Sequence, residues 1–242
     1  MSFVELTDIL ASDGFAILER GIPSDPLTEF RDSVAEHLAA DPEGIKSLRG
    51  ETYASRNVFE ILPESRTLWQ RSPIIDFLNS CLGKDFGLVR GLFFDKHPNR
   101  TWSLGWHKDM TIAVKDNSLP TTHFCKPTKK SGVPHVEASE EVLNQMVTLR
   151  IHLDKVTDEN GPLEVIPKSH LSGKQTTAMG ETAVKIHAEP GDILAMKPLI
   201  SHASGSSASG TTMHRRILHL EFAANEQLPD GYRWYHFIRP RL

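Results

Sequence analysis

Residues Gln145–Asp154 read QMVTLRIHLD. Val147, Leu149, Ile151 and Leu153 alternate with Thr148, Arg150, His152 and Asp154. A period of two marks an extended strand whose faces meet different surroundings. One face packs on a core. The other carries a hydroxyl, a guanidinium, an imidazole and a carboxylate, and faces either solvent or a wet cavity.

Further strands lie on both sides of this one. Asn160-Gly161 is a turn signal, and LEVIP at 163–167 reads as the strand returning from a tight hairpin. Val184–Ile186 and Asp192–Met196 follow, with Pro190-Gly191 turning between them, and Arg216–Phe222 is the last. Upstream, LVRGLFFD at 88–95 reads as a buried strand and Thr111–Val114 as another. Residues 115–140 are polar and hold Pro120, Pro127, Gly132 and Pro134, so they read as a long irregular loop. Short strands at near-regular spacing predict a mainly β sandwich or barrel.

The first third is helical in pattern. Glu5–Ser12 is amphipathic and stops at Asp13-Gly14, and Phe15–Leu18 is a short strand. Ser24-Asp25-Pro26 starts a helix with Leu27, Phe30, Val34 and Leu38 on one stripe. Ser72-Pro73 starts another, with Ile74, Leu78 and Cys81 on one face and Gly83 as its stop. These helices are expected to cover one face of a sheet.

Composition narrows the function. Net charge is −4 and no basic run occurs, which argues against nucleic acid. Two cysteines, Cys81 and Cys125, make neither a disulfide framework nor a thiolate zinc site and fit a reducing, cytoplasmic setting. The opening MSFVELTDILASDG carries three acids and no basic n-region, so it does not read as a signal peptide. No apolar run approaches membrane-spanning length.

The chemistry is expected at GWHKD, residues 105–109. On an extended segment His107 and Asp109 point to one side. With one more His they make the 2-His-1-carboxylate set that holds non-heme Fe(II) and leaves positions open. His-x-acid occurs five times in this chain, so context must choose. His202 is the third candidate, because it opens the small-residue run SHASGSS, which lets a ligand come close. Arg215 and Arg216 head the last strand, where a guanidinium facing inward would grip a carboxylate. His135/Glu137, His152/Asp154, His187/Glu189 and His219/Glu221 read as satisfied or solvated pairs, with His152 the one that also lines the polar strand face.

With LFFDK, WHKD, LRIHLDKVTDENGPLEVIPKSHLSG, PGDILAMKPLISHASG and RRILHLEFA in this order, the chain resembles the phytanoyl-CoA dioxygenase-like Fe(II)/2-oxoglutarate-dependent oxygenases from about Leu88 to Phe222. The resemblance implies a double-stranded β-helix, or jelly roll, flanked by helices. A chain of 242 residues suits one domain over 1–242, with a mainly helical covering segment to residue 84, a core over 85–224 and a tail from 225. The resemblance also implies His107, Asp109 and His202 as iron ligands, Arg215 and Ser204 as holders of the distal carboxylate of 2-oxoglutarate, and Thr148, Arg150 and Lys96 as neighbours of that cosubstrate. Alternation agrees on the arginine, since Arg216 shares a face with Leu218, Leu220 and Phe222. Lys108 stands where many relatives carry Gln, and Lys168 where Gly is usual before Ser169-His170.

The implied reaction uses Fe(II), 2-oxoglutarate and O2 to oxidise a C–H bond of a small molecule, releasing succinate and CO2. In halogenating relatives the position of Asp109 lacks its carboxylate, so the resemblance favours hydroxylation here and leaves desaturation or oxidative ring closure open. The competing readings are a jelly-roll binding protein without catalysis and a cupin-like metalloenzyme that needs no 2-oxoglutarate. The substrate and the oligomeric state are not legible. The basic and histidine side chains of 115–140 read as a solvated charged loop, and Tyr232, Trp234, Tyr235, His236 and Phe237 as packing.

Overall fold

The computed structural model describes residues 2–40, 58–98, 101–175 and 182–241, with backbone pieces at 47–48, 51–52 and 54–55. Helix α1 (Phe3–Asp13) starts at a capping box, with the Ser2 hydroxyl taking the Glu5 N–H, and ends on left-handed Gly14. Then come strand β1 (Phe15–Leu18), helix α2 (Ser24–Ala40) and helix α3 (Ser72–Leu82). The remaining strands are β2 (Gly87–Lys96), β3 (Leu104–His107), β4 (Thr111–Ala113), β5 (Phe124–Lys130), β6 (Val133–Ala138), β7 (Met146–His152), β8 (Leu163–Val165), β9 (Val184–Ile186), β10 (Ile193–Met196), β11 (His202–Ser204) and β12 (Arg215–Ala223).

The larger sheet runs β1-β10-β7-β12-β2, closed at the far edge by Ala54–Ser55. The smaller runs β9-β8-β11-β3. Every pairing in both is antiparallel. Two such sheets face to face form the jelly roll that the strand pattern predicts, with the helices on the outer face of the larger one.

The alternation of β7 explains why. Val147, Leu149 and Ile151 are buried with Leu218, Leu220 and Phe222 of β12, under Leu6, Leu10, Phe30, Val34, Trp69, Ile74, Phe77 and Leu78 from the helical third. The side chain of Leu38, expected on the same α2 stripe, lies outside the described residues. Trp69 meets Phe222 edge-on at 5.0 Å, and burying each such side chain stabilises the fold by about 1.5–3 kcal/mol. The opposite faces of β7 and β12 turn Thr148, Arg150, His152, Arg215, His219 and Glu221 into the space between the sheets, and all of these are buried.

Two expectations are corrected. Residues 115–140 are not an irregular loop: β5 and β6 form a hairpin that adds to β4 as a three-stranded sheet. Its turn is Ser131-Gly132, both at positive φ, the pairing a two-residue hairpin requires. The strand escapes notice because β5 is an exposed edge carrying Lys126, Pro127, Lys129 and Lys130, the composition that protects an edge from pairing further. Asn160-Gly161 likewise does not close a hairpin. Residues Asp158–Asn160 form a 3-10 turn, and the chain leaves the larger sheet for β8 in the smaller one. No helix among the described residues is long and apolar enough to cross a membrane.

Candidate active site

His107 ends β3 and His202 begins β11, and the two are register partners in the smaller sheet. That pairing sets their rings 4.2 Å apart, centre to centre. Asp109 follows two residues after His107 and is held by its N–H on the Pro198 carbonyl at 3.0 Å. Its carboxylate oxygens lie 4.0 Å from His107 Nε2 and 3.5 Å from His202 Nε2. One donor atom from each of the three falls within 4.8 Å of the others.

The donor set suits a metal ion. His107 Nδ1–H donates to the Gly105 carbonyl at 2.8 Å, and His202 Nδ1–H to Ile200 at 3.0 Å. Each backbone carbonyl fixes the tautomer that leaves the Nε2 lone pair facing Asp109. Burial pushes the His202 imidazole down to about 4, against the pull of Asp109, so it is neutral at pH 7. Burial raises Asp109, but the fields of His202, His219, His107 and Arg90 outweigh it and hold the carboxyl at about 2.

At the other end of the cavity, Lys96 and Arg215 are register partners on β2 and β12. Lys96 Nζ donates to Ser204 Oγ at 3.0 Å, to Gly161 O at 3.3 Å and to Gly205 O. Arg215 Nη2 donates to the same Ser204 Oγ at 3.2 Å. With both lone pairs of its oxygen taken, the Ser204 hydroxyl keeps its proton to give away. Lys96 lies 4.7 Å and Arg215 5.7 Å from the ring centre of Trp102. Gly161 makes the cage possible, since at φ 65° a Cβ there would stand 2.8 Å from Lys96 Nζ.

This corner fits a dicarboxylic acid. Among the described residues no carboxylate pairs with Lys96, Arg150 or Arg215, and the Nε of buried Arg215 and of buried Arg150 has no partner. Burial, with Arg215 and Arg150 nearby, lowers Lys96 to about 7. Burial with Arg150 lowers Arg215 to about 9, still charged at neutral pH. Thr148 and Arg150 face the same cavity from β7. Arg216 points away, into a two-point ion pair with Asp154 at 2.7 and 2.9 Å.

The remaining pairs lie elsewhere. Glu137 pairs with Lys126 and Lys174, and His187 with Asp158 at the surface. His123, next to the hairpin, pairs with Asp230. His152 donates to the Asp192 carbonyl at 3.1 Å on the cavity side. Tyr232 and Trp234 are packed in a second apolar cluster.

Three side chains make contacts that the sequence did not assign, although His219 forms the satisfied pair with Glu221 that it suggested. Arg90, a single charge in an apolar strand, reaches Glu221 at 3.3 Å and the Thr111 carbonyl at 2.7 Å. His219 joins that pair to Arg150, with 3.3 Å to Glu221 and 3.1 Å to Arg150 Nη1. The alternation of β12 already put His219 and Glu221 beside Arg215. Lys108 is buried and donates to Ser169 O at 2.7 Å, Ser172 Oγ at 3.1 Å and Gly173 O at 2.6 Å.

Comparison with known proteins gives a family and a fold. The family model for phytanoyl-CoA dioxygenase matches residues 10–217. AviO1 from Streptomyces viridochromogenes Tue57 superposes with a TM-score of 0.69 at 19% identity, covering 95% of this chain and 98% of that one. The non-heme alpha ketoglutarate dependent carbocyclase SnoK from nogalamycin biosynthesis gives 0.65 at 18%, covering 90% and 83%. EctD from S. alaskensis, crystallised with 2-oxoglutarate and 5-hydroxyectoine, gives 0.67 at 17%, covering 92% and 76%. At these identities the likeness is one of fold.

Proposed function

Because this chain belongs to the phytanoyl-CoA dioxygenase family and is an Fe(II)/2-oxoglutarate-dependent oxygenase, we propose that it hydroxylates a C–H bond of a small-molecule substrate. The observation that carries this reading is the pairing of a three-donor metal cluster with a separate, carboxylate-free cluster of buried cations in one cavity.

His107, Asp109 and His202 would hold the iron, and Arg215, Ser204 and Lys96 the distal carboxylate of 2-oxoglutarate. When bound, iron and 2-oxoglutarate supply the activation of O2 that ends in succinate, CO2 and an oxidised C–H bond. The chain does the rest. The Gly105 and Ile200 carbonyls keep the Nε2 atoms deprotonated and aimed. Asp109 contributes one negative charge without taking up a proton at neutral pH. Arg215 and the Ser204 proton orient the diacid by a fork and a hydroxyl. Trp102 and Phe94 line the wall beside these cations, with Arg150 5.5 Å from the Phe94 ring centre, and keep water from them.

A jelly-roll binding protein would not need the metal cluster, and a metalloenzyme without a diacid would not need Arg215, Ser204 and Lys96 together. One apolar cluster running from Leu6 to Phe222 supports a single domain over 1–242. Two free cysteines support a reducing, cytoplasmic setting.

The test is an anaerobic titration with Fe(II) and 2-oxoglutarate. A weak visible absorption band that needs both additions, and is lost in His107→Ala, supports the reading. Folded wild-type protein without the band overturns it.

A further inference from the structure

Arg150 sits in the middle of β7 and is 6% exposed. Its neighbours Leu149 and Ile151 point into the helical core, so its own side chain points between the sheets. Its Nη1–H donates to His219 Nδ1 at 3.1 Å, and its Nε has no partner. The His219 proton therefore sits on Nε2 and goes to Glu221 at 3.3 Å, and Glu221 is neutralised by Arg90 at 3.3 Å. Burial pushes the His219 imidazole down, so it brings no charge of its own at pH 7. Arg90 and Glu221 balance one another, and among the described residues no carboxylate pairs with Arg150, although the charge of Asp109 acts on it.

The oxygenase reading, on which the rest depends, does not supply such a partner. Asp109 and one carboxylate of 2-oxoglutarate would offset a divalent ion. The other carboxylate would offset Arg215. Lys96, near pH 7, can shed its proton, but an arginine cannot. In register, Arg150 faces His219, four residues along β12 from Arg215, about 13 Å of strand. The four C–C bonds of 2-oxoglutarate reach only about 5–6 Å. The field of Arg150 reaches Arg215 and Lys96, but a diacid held by Arg215 and Ser204 would leave the Arg150 Nε without a partner.

We propose that Arg150 binds the substrate itself, through an anionic oxygen group such as a carboxylate or a phosphate. A buried guanidinium fork without an anionic partner is the recognition element for such a group, and it gives the enzyme an acidic small molecule as its substrate class.

Calorimetric titration of the anaerobic Fe(II)–2-oxoglutarate protein with acetate, benzoate and inorganic phosphate, and with neutral benzamide, tests this. Binding of at least one anion, no binding of benzamide, and a tenfold or greater loss of anion affinity in Arg150→Gln with the 2-oxoglutarate requirement unchanged within twofold would support it. Benzoate or acetate alone would point to a carboxylate, phosphate alone to a phosphate ester. No anion binding to wild-type protein, or equal binding to Arg150→Gln, would overturn it. So would a tenfold higher 2-oxoglutarate requirement in that variant, which would make Arg150 part of the cosubstrate site. If Arg150→Gln does not fold, Arg150→Lys decides: it keeps the charge but loses the fork, and unchanged anion affinity there would sink the proposal. The absorption band reports on the oxygenase reading separately, and the calorimeter reads anion binding whether or not the band appears.

Discussion

The Ser169 carbonyl accepts the Lys108 ammonium at 2.7 Å, while the Ser169 hydroxyl accepts the Ser201 N–H at 2.8 Å. One residue thus holds the neighbours of His107, Asp109 and His202 together. The 3-10 turn it begins, Ser169–Ser172, is itself fixed to the end of α1, through Lys168 N–H to Asp13 O at 2.8 Å and His170 Nε2 to Ala11 O at 3.1 Å.

Lys108→Met should therefore damage metal binding without touching a ligand. It leaves the Gly173 carbonyl without the ammonium and the Ser169 carbonyl with only the Ser172 hydroxyl, at about 1–3 kcal/mol for a buried group left unpaired. Groups behind metal ligands typically carry about 10–100-fold in affinity, so Co(II) should bind at least tenfold more weakly. The ligand-field spectrum should broaden as well. A lower unfolding temperature with an unchanged Co(II) spectrum and affinity would make the turn a matter of stability alone.

The two adjacent arginines should separate cleanly. Arg215→Ala removes a donor to Ser204 from the cation cluster and should raise the 2-oxoglutarate requirement at least tenfold. Arg216→Ala leaves Asp154 half-buried without its two-point partner. It should lower stability by about 1–3 kcal/mol and leave the 2-oxoglutarate requirement alone. Urea unfolding beside the band titration distinguishes them, and the reverse pattern would reassign the fork.

What was legible in the sequence follows the physics of each element. β7 and β12 announce themselves because they separate an apolar core from a polar cavity, and that contrast is written residue by residue from Met146 to Ala223. The same alternation points Arg215 inward and Arg216 outward. The hairpin of β5 and β6 was illegible because β5 has solvent on both faces and so carries no contrast. The crossing at Asn160-Gly161 was misread because a glycine turn signal fixes a bend and not which sheet the next strand joins. Lys108 and Ser169 lie 61 residues apart, and no local pattern connects them.

Metal loading should stabilise the fold by mass action. At a free metal concentration one hundred times Kd the gain is about 2.7 kcal/mol. For a chain of this size that corresponds to about 5–10 °C in unfolding temperature. Chelation should reverse the shift, and His202→Ala should abolish it. A full shift in His202→Ala would place the binding somewhere other than this cluster.

Lys96 makes two opposite predictions about pH. Burial first, then Arg215 and Arg150, lowers it from an ordinary 10.5 to about 7. Between these values the unfolded chain binds a proton that the folded chain does not, so stability rises with pH across this window. The penalty is complete below about 7 and gone above 10.5. Binding the distal carboxylate runs the other way, because it needs the protonated amine. The 2-oxoglutarate requirement should be lowest below pH 7 and climb several-fold by pH 8.5. Lys96→Met should flatten both profiles while keeping the absorption band, which separates the amine from the histidines that titrate nearby in pH. If the wild-type requirement is level from pH 6.5 to 8.5, Lys96 is bound to Ser204, Gly161 and Gly205 as a structural cation and takes no part in holding the diacid.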